Sequence, residues 1–121
     1  MDAILLARVS TKEQESIPAQ LARLESFIKR QDLNVVKVFE IEESSSKDIR
    51  KEYEIMLEYV RNYSRNIAIV ADTIDRLQRS FRESVELGSL MKSGKLELHF
   101  YRENLILNKD SNSSDIIRYD M

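Results

Sequence analysis

A chain of 121 residues is long enough for one domain around a single core. With 42% hydrophobic and 33% charged residues it is not a disordered chain, and a net charge of −2 excludes a domain that holds nucleic acid by bulk positive charge. It has no cysteine and one histidine, His99, which excludes a disulfide framework, a thiolate metal site and any site needing two imidazoles.

The chain opens on an apolar run, Ile4-Leu5-Leu6-Ala7, read as part of a buried strand over residues 3–9. Arg8-Val9-Ser10 follows at its end. Side chains alternate along a strand, so the Arg8 guanidinium and the Ser10 hydroxyl share a face, a potential nucleophile beside a charge that suits phosphate. Residues 15–31 read as a helix with Ile17, Leu21, Leu24 and Ile28 on one side, Ser16 as its cap and Pro18 in its first turn. Asn34–Ile41 is β-branched and strand-like, and residues 42–48 form a polar loop containing Ser44-Ser45-Ser46.

A second helix spans residues 49–63, with Ile49, Tyr53, Met56, Leu57 and Val60 on its apolar side. A third strand covers Asn66–Ala71, and Asp75-Arg76-Leu77-Gln78-Arg79-Ser80 lies beyond its end. Residues 81–93 read as a helix with Phe81, Val85, Leu87 and Met91 apolar and Gly94 as its stop. Leu96–Phe100 is a fourth strand and Asn104–Leu107 a short fifth; another helix starts at Ser113 or Ser114. His99 alternates with Glu97 and reads as an exposed or partly buried strand residue, not a ligand. Tyr53, Tyr59 and Tyr63 read as packing residues rather than nucleophiles.

Strands alternating with helices imply an α/β fold of three layers, a mostly parallel four- to five-stranded sheet with helices on both faces. Ligands of such sheets bind beyond the carboxyl ends of the strands. Ser10, the serine loop and Asp75–Arg79 all follow such ends, so three clusters distant in sequence converge on one rim.

Ala7-Arg8-Val9-Ser10-Thr11-Lys12-Glu13-Gln14, then Ile17-Pro18-Ala19-Gln20, then Asp75-Arg76-Leu77-Gln78-Arg79-Ser80, in this order, resemble the catalytic domain of serine recombinases, the resolvase and invertase family. Ser16-Ile17-Pro18-Ala19-Gln20 and Tyr101-Arg102-Glu103-Asn104-Leu105 are closer in style to the large serine recombinases and phage integrases. The resemblance spans essentially the whole chain. It implies a resolvase-like fold and site-specific DNA recombination without a cofactor or metal. Ser10 matches the nucleophile, which attacks a phosphodiester to give a 5′-phosphoserine link. Arg8, Arg76 and Arg79 match arginines on the scissile phosphate, Asp75 the carboxylate of that motif, Gln20 an active-site glutamine and Arg50 a further arginine. Asp75 either accepts a proton or orients Arg76 and Arg79, and orientation is favoured.

This chemistry suits these residues. Serine is a weak nucleophile, and without a metal the charge spread over the phosphoryl oxygens has to be met by side chains, for which guanidinium forks are suited. Taken singly, Ser10 is a strand-end hydroxyl and Asp75-Arg76 an ordinary ion pair; the case rests on the joint pattern.

There are departures from the family pattern. Leu5 and Leu6 stand where an aromatic and a glycine are frequent, and Ser44–Ser46 where Ser-Gly is common. Family members continue into a long helix carrying dimer contacts and a further arginine, then into DNA-binding domains. The chain from Met1 to Met121 is therefore expected to be a single catalytic domain, residues 1–121, ending at or before that helix. On that expectation DNA and, in a full-length parent, further copies in a dimer or tetramer are its partners. Alone it is expected to bind DNA weakly and not to recombine it. No apolar run nears membrane-spanning length and no signal pattern opens the chain, so a cytoplasmic protein with no membrane partner is expected. Two other readings are an inactive or regulatory fragment that acts as a binding module, and a receiver-like domain with Asp72 as phosphoacceptor.

Overall fold

A computed structural model describes residues 1–10, 17–43, 46–72 and 81–110. Five strands and three helices are described: β1 (Asp2–Ser10), α1 (Ile17–Arg30), β2 (Asn34–Glu43), α2 (Ser46–Asn62), β3 (Ile67–Ala71), α3 (Phe81–Lys92), β4 (Leu96–Phe100) and β5 (Leu105–Leu107). They form one sheet in the order β2-β1-β3-β4-β5. The first four strands are parallel, and β5 returns antiparallel to β4. This is the expected α/β architecture.

The central strands β1 and β3 form from residues that can be buried on both faces, as crossover helices require of the middle of a parallel sheet. Residues 67–71 (Ile-Ala-Ile-Val-Ala) are all fully buried, as are Ala3 to Ala7 of β1. One face of the sheet packs Ile4, Leu6, Ile69, Leu98 and Phe100 against Tyr53, Met56, Leu57 and Val60 of α2 and Leu87 and Met91 of α3. The other face packs Ala3, Leu5, Ala68 and Val70 against Leu24, Phe27 and Ile28 of α1. Truncating one of the large side chains to alanine costs about 2–5 kcal/mol, since the cavity left behind adds to the lost transfer energy.

The edge strand β2 carries a bulge. Ala3 pairs with Val35, but Ile4 pairs with Lys37, so Val36 is extra. The slip resets the alternation and lets Val36 and Phe39, three residues apart, both join the α2 side of the core. β2 runs on to Glu43 and α2 starts at Ser46, so most of the loop expected over residues 42–48 belongs to these two elements. An edge strand tolerates the charged Glu42 and Glu43 at its end.

The expected apolar side of α2 is found in Tyr53, Met56, Leu57 and Val60. On α3, Val85 is 53% exposed, contrary to expectation, whereas Leu87 and Met91 are buried. At 3.6 residues per turn, positions 85 and 87 point about 200° apart, so they cannot share a buried stripe. The helix expected from Ser113 or Ser114, and the cap at Ser16, lie outside the described residues. No helix among the described residues is long and apolar enough to cross a membrane.

Candidate functional site

The connections out of β1 and β3 lead in opposite directions: β1 is followed by β2 on one side, and β3 by β4 on the other. Such a reversal opens a crevice beyond the carboxyl ends of the two central strands. The pairing shows where it opens. β1 and β3 are in register from Asp2–Ile67 to Leu5–Val70 and then part, while β1 stays paired with β2 as far as Ser10–Glu43. Arg8 and Ser10 therefore belong to a stretch of β1 that β3 no longer flanks, and both are placed here by their backbones.

Gln20 lies in the first turn of α1, which follows β1, and is fully buried. It heads the buried side of the helix, with Leu24 one turn on and then Phe27 and Ile28. Pro18, as expected, sits in that first turn, where its missing N–H breaks no helical bond. Arg50 is in the backbone of α2 near the start of that helix, next after β2, and so on the same rim. Asp75, Arg76 and Arg79 lie outside the described residues, as do Thr11–Gln14 and the serines Ser44 and Ser45. The described part of the rim thus gathers the ends of the elements that carry Ser10, Arg8, Gln20 and Arg50.

A cluster absent from the sequence expectations occupies the end of β3. Asp72 follows Ala71 directly and is 1% exposed. Arg23 of α1 donates from Nε to its Oδ1 at 3.1 Å and brings Nη2 to 3.0 Å from Oδ2. Arg102, just after β4, brings Nε to 2.9 Å from the same Oδ2. The two Oδ2 contacts are close ion pairs, although neither is aligned as a hydrogen bond. The backbone fixes the partners too. The N–H of Arg102 donates to the Asp72 carbonyl at 2.8 Å and that of Tyr101 to the Ala71 carbonyl at 3.0 Å, which extends the β3–β4 ladder beyond the strands. The Arg23 guanidinium also lies over the Tyr101 ring, 5.8 Å from its centre.

Among the described residues, two guanidiniums thus share one carboxylate. They also answer the receiver reading. A carboxylate that is buried and matched by two arginines is not presented for phosphorylation.

His99 is a second surprise. It is 3% exposed, more buried than its alternation with Glu97 suggested. Alternation reports exposure only where one sheet face is wet, and here Phe27 of α1 covers this face, its ring edge-on to the imidazole at 6.1 Å. Nε2 lies 2.6 Å from Glu97 Oε1, and Nδ1 has no partner among the described residues. Burial pushes the imidazole below its usual range, opposed by the bond to Glu97. The three tyrosines pack as expected. Tyr53 is buried in the core, Tyr59 stacks near Phe39 and Tyr63, and Tyr63 donates from its hydroxyl to Asp2 at 2.5 Å.

A family model described as Resolvase, N terminal domain, matches residues 3–119. The chain belongs to this family. Solved structures share its architecture. The N-terminal catalytic domain of TP901-1 integrase has a TM-score of 0.74 at 19% identity, over 99% of this chain and 89% of that one. A resolvase family site-specific recombinase from Streptococcus pneumoniae has a TM-score of 0.74 at 20% identity, over 99% and 83%. The C-terminal catalytic domain of ISC1926 TnpA, an IS607-like serine recombinase, has a TM-score of 0.66 at 18% identity, over 98% and 76%. At these identities the likeness establishes the resolvase fold. No curated protein sequence matches the chain.

Proposed function

We propose that the chain is the catalytic domain of a site-specific DNA recombinase that cleaves through Ser10. The observation that carries this reading is the parting of β1 and β3. Leu5 and Val70 form their last shared pair, and Ser10 and Asp75 each follow that pair by five residues. The equal spacing in sequence supports a nucleophile at one strand end acting with the Asp75-Arg76-Leu77-Gln78-Arg79 segment that follows the neighbouring strand.

The Ser10 hydroxyl oxygen attacks a DNA phosphorus and displaces a 3′ oxygen, which leaves as a free 3′-hydroxyl. The enzyme keeps a 5′-phosphoserine ester, and the bond energy held there drives rejoining to a new 3′-hydroxyl without a nucleotide. Arg8, Arg76 and Arg79, joined by Arg50, offset the charge that builds on the non-bridging oxygens. Asp75 orients the arginines, and Gln20, buried at the head of α1, supports the rim. DNA and further copies of the protein are the partners this chemistry requires.

The test is covalent capture. The protein in its full encoded length is incubated with fragmented genomic DNA and a chelator, and adducts that survive denaturation are digested for mass spectrometry. A phosphoserine at position 10, lost in Ser10→Ala, is expected. An undiminished adduct in Ser10→Ala would falsify the assignment. An adduct that appears only with divalent metal would overturn the metal-free route.

A further inference from the structure

We propose that the groove between the second half of α1 and the β4–β5 hairpin is a binding track for DNA backbone phosphates, with Arg102 and Arg30 as its contacts. The proposal deepens the recombinase reading, since it names where the strand would run beyond the crevice.

The groove has a volume of about 580 Å³ and is lined by Phe27, Arg30, Gln31, Tyr101, Arg102 and Asn104. Among these described residues there are two guanidiniums, two amides and two rings, but no carboxylate. This is unusual on a chain whose acidic residues outnumber its basic ones, 21 to 19. The larger groove between β2 and α2 shows the contrast, with Glu40, Glu52 and Glu58 against Lys37 alone.

Arg102 joins the groove to the crevice. Its side chain is 52% exposed, yet Asp72 holds its Nε from below at 2.9 Å and the hairpin backbone is pinned to the end of β3. An arginine held by a buried carboxylate loses little further entropy on meeting a phosphate. Arg23 shares that carboxylate from α1. At the hairpin's far end Asn104 adopts φ 50°, a left-handed geometry that asparagine tolerates, and the chain turns back into β5 there.

Arg30, exposed in the last turn of α1, lies over the Phe27 ring at 5.9 Å. Arg23, which shares Asp72 with Arg102, stands seven helical residues before Arg30, a rise of about 10 Å. Along one strand of a duplex that rise covers about three phosphates. The ligand chemistry is thus a run of phosphodiesters, contacted without regard to base.

The experiment is binding of a fluorescein-labelled, mixed-sequence DNA duplex to the 121-residue chain, read by anisotropy across a series of salt concentrations. Removing a single arginine–phosphate pair lowers the slope of log affinity against log salt by about 0.9. Arg102→Gln and Arg30→Gln should each show that drop, and Arg102→Lys should restore most of it. Arg65→Gln, at the opposite end of the sheet beside Asp2, should leave the slope unchanged. Arg30 stands on the helix surface, so its variant keeps the test valid if Arg102→Gln unfolds. Unchanged slopes in the folded Arg102 and Arg30 variants, an equal drop in Arg65→Gln, or no salt-dependent binding by the unaltered chain would each overturn the proposal. None of these outcomes bears on a Ser10 adduct, which stands or falls separately.

Discussion

Asp32 and Gly94 hold the same position at the ends of two different helices. After α1, Leu33 N–H bonds the Ile28 carbonyl and Asp32 N–H that of Lys29; after α3, Lys95 N–H bonds the Leu90 carbonyl and Gly94 N–H that of Met91. Both are paired closures of the Schellman type, which place one residue in a left-handed conformation. Gly94 meets this at φ 85° without a Cβ, whereas Asp32 meets it at φ 56° with one.

Asp32→Gly is therefore expected to stabilise the fold by about 0.5–1 kcal/mol, because relief of the Cβ clash outweighs the extra chain entropy of glycine. It also removes a negative charge from the helix C-terminus, where the dipole disfavours it. Urea denaturation should show a higher midpoint at unchanged slope. A lower midpoint would mean that the carboxylate makes a compensating contact.

Acid should weaken the fold through His99. Its folded pKa is held below the ordinary 6.5 by burial, so the unfolded chain binds the proton more readily. The stabilising contribution of the neutral imidazole is complete above pH 6.5 and is lost as pH falls from there through the folded pKa. Asp2 acts in a separate, lower window. Tyr63 and then Asn34 hydrogen-bond its carboxylate and hold it below the usual 3.8, so its contribution is present above that value and lost as pH falls through the folded pKa. Denaturant midpoints measured between neutral pH and pH 5 should fall for the unaltered chain. His99→Gln should flatten the profile over that interval, and an identical profile in the variant would remove His99 as its cause.

Asp72→Asn should destabilise the chain by about 1–3 kcal/mol. Removing one partner of a fully buried ion pair costs about 3–5 kcal/mol, but here the guanidiniums of Arg23 and Arg102 are 24% and 52% exposed and recover part of that in water. The double variant with Arg102→Gln should lose less than the sum of the two single losses, since the pair shares one interaction. Strict additivity in thermal melts would show that Arg102 does not depend on Asp72.

The frame of this domain was legible because its strands are short apolar runs and its helices carry a 3.6-residue apolar period, as Tyr53, Met56, Leu57 and Val60 show. Of the rim, the strand end with Arg8 and Ser10 was legible because Arg8-Val9-Ser10 follows such a run; the segment from Asp75 lies outside the described residues. Asp72 was visible as a strand-end acid but not as the partner of Arg23, 49 residues earlier. No local period links two residues that meet only when the sheet closes. Arg102 stood within a stretch noted for its resemblance, and only the ladder beyond β3 and β4 shows that it reaches Asp72. Val85 and His99 were misplaced for related reasons. Apolarity alone does not assign a helix face, and alternation does not report exposure in a sheet covered on both sides.

The pairing of β1 also bears on how the protein is made. All nine residues of β1 pair with β2, but only the first four pair with β3. Residues 2–43 therefore contain a complete strand-helix-strand unit, and it emerges from the ribosome well before β3. The strand end bearing Ser10 is set in this first unit. The segment with Asp75, Arg76 and Arg79 is translated later, after β3. On the proposed reading, a nascent chain carries Ser10 and Arg8 before Asp75, Arg76 and Arg79 have been made, so cleavage awaits the second half of the chain.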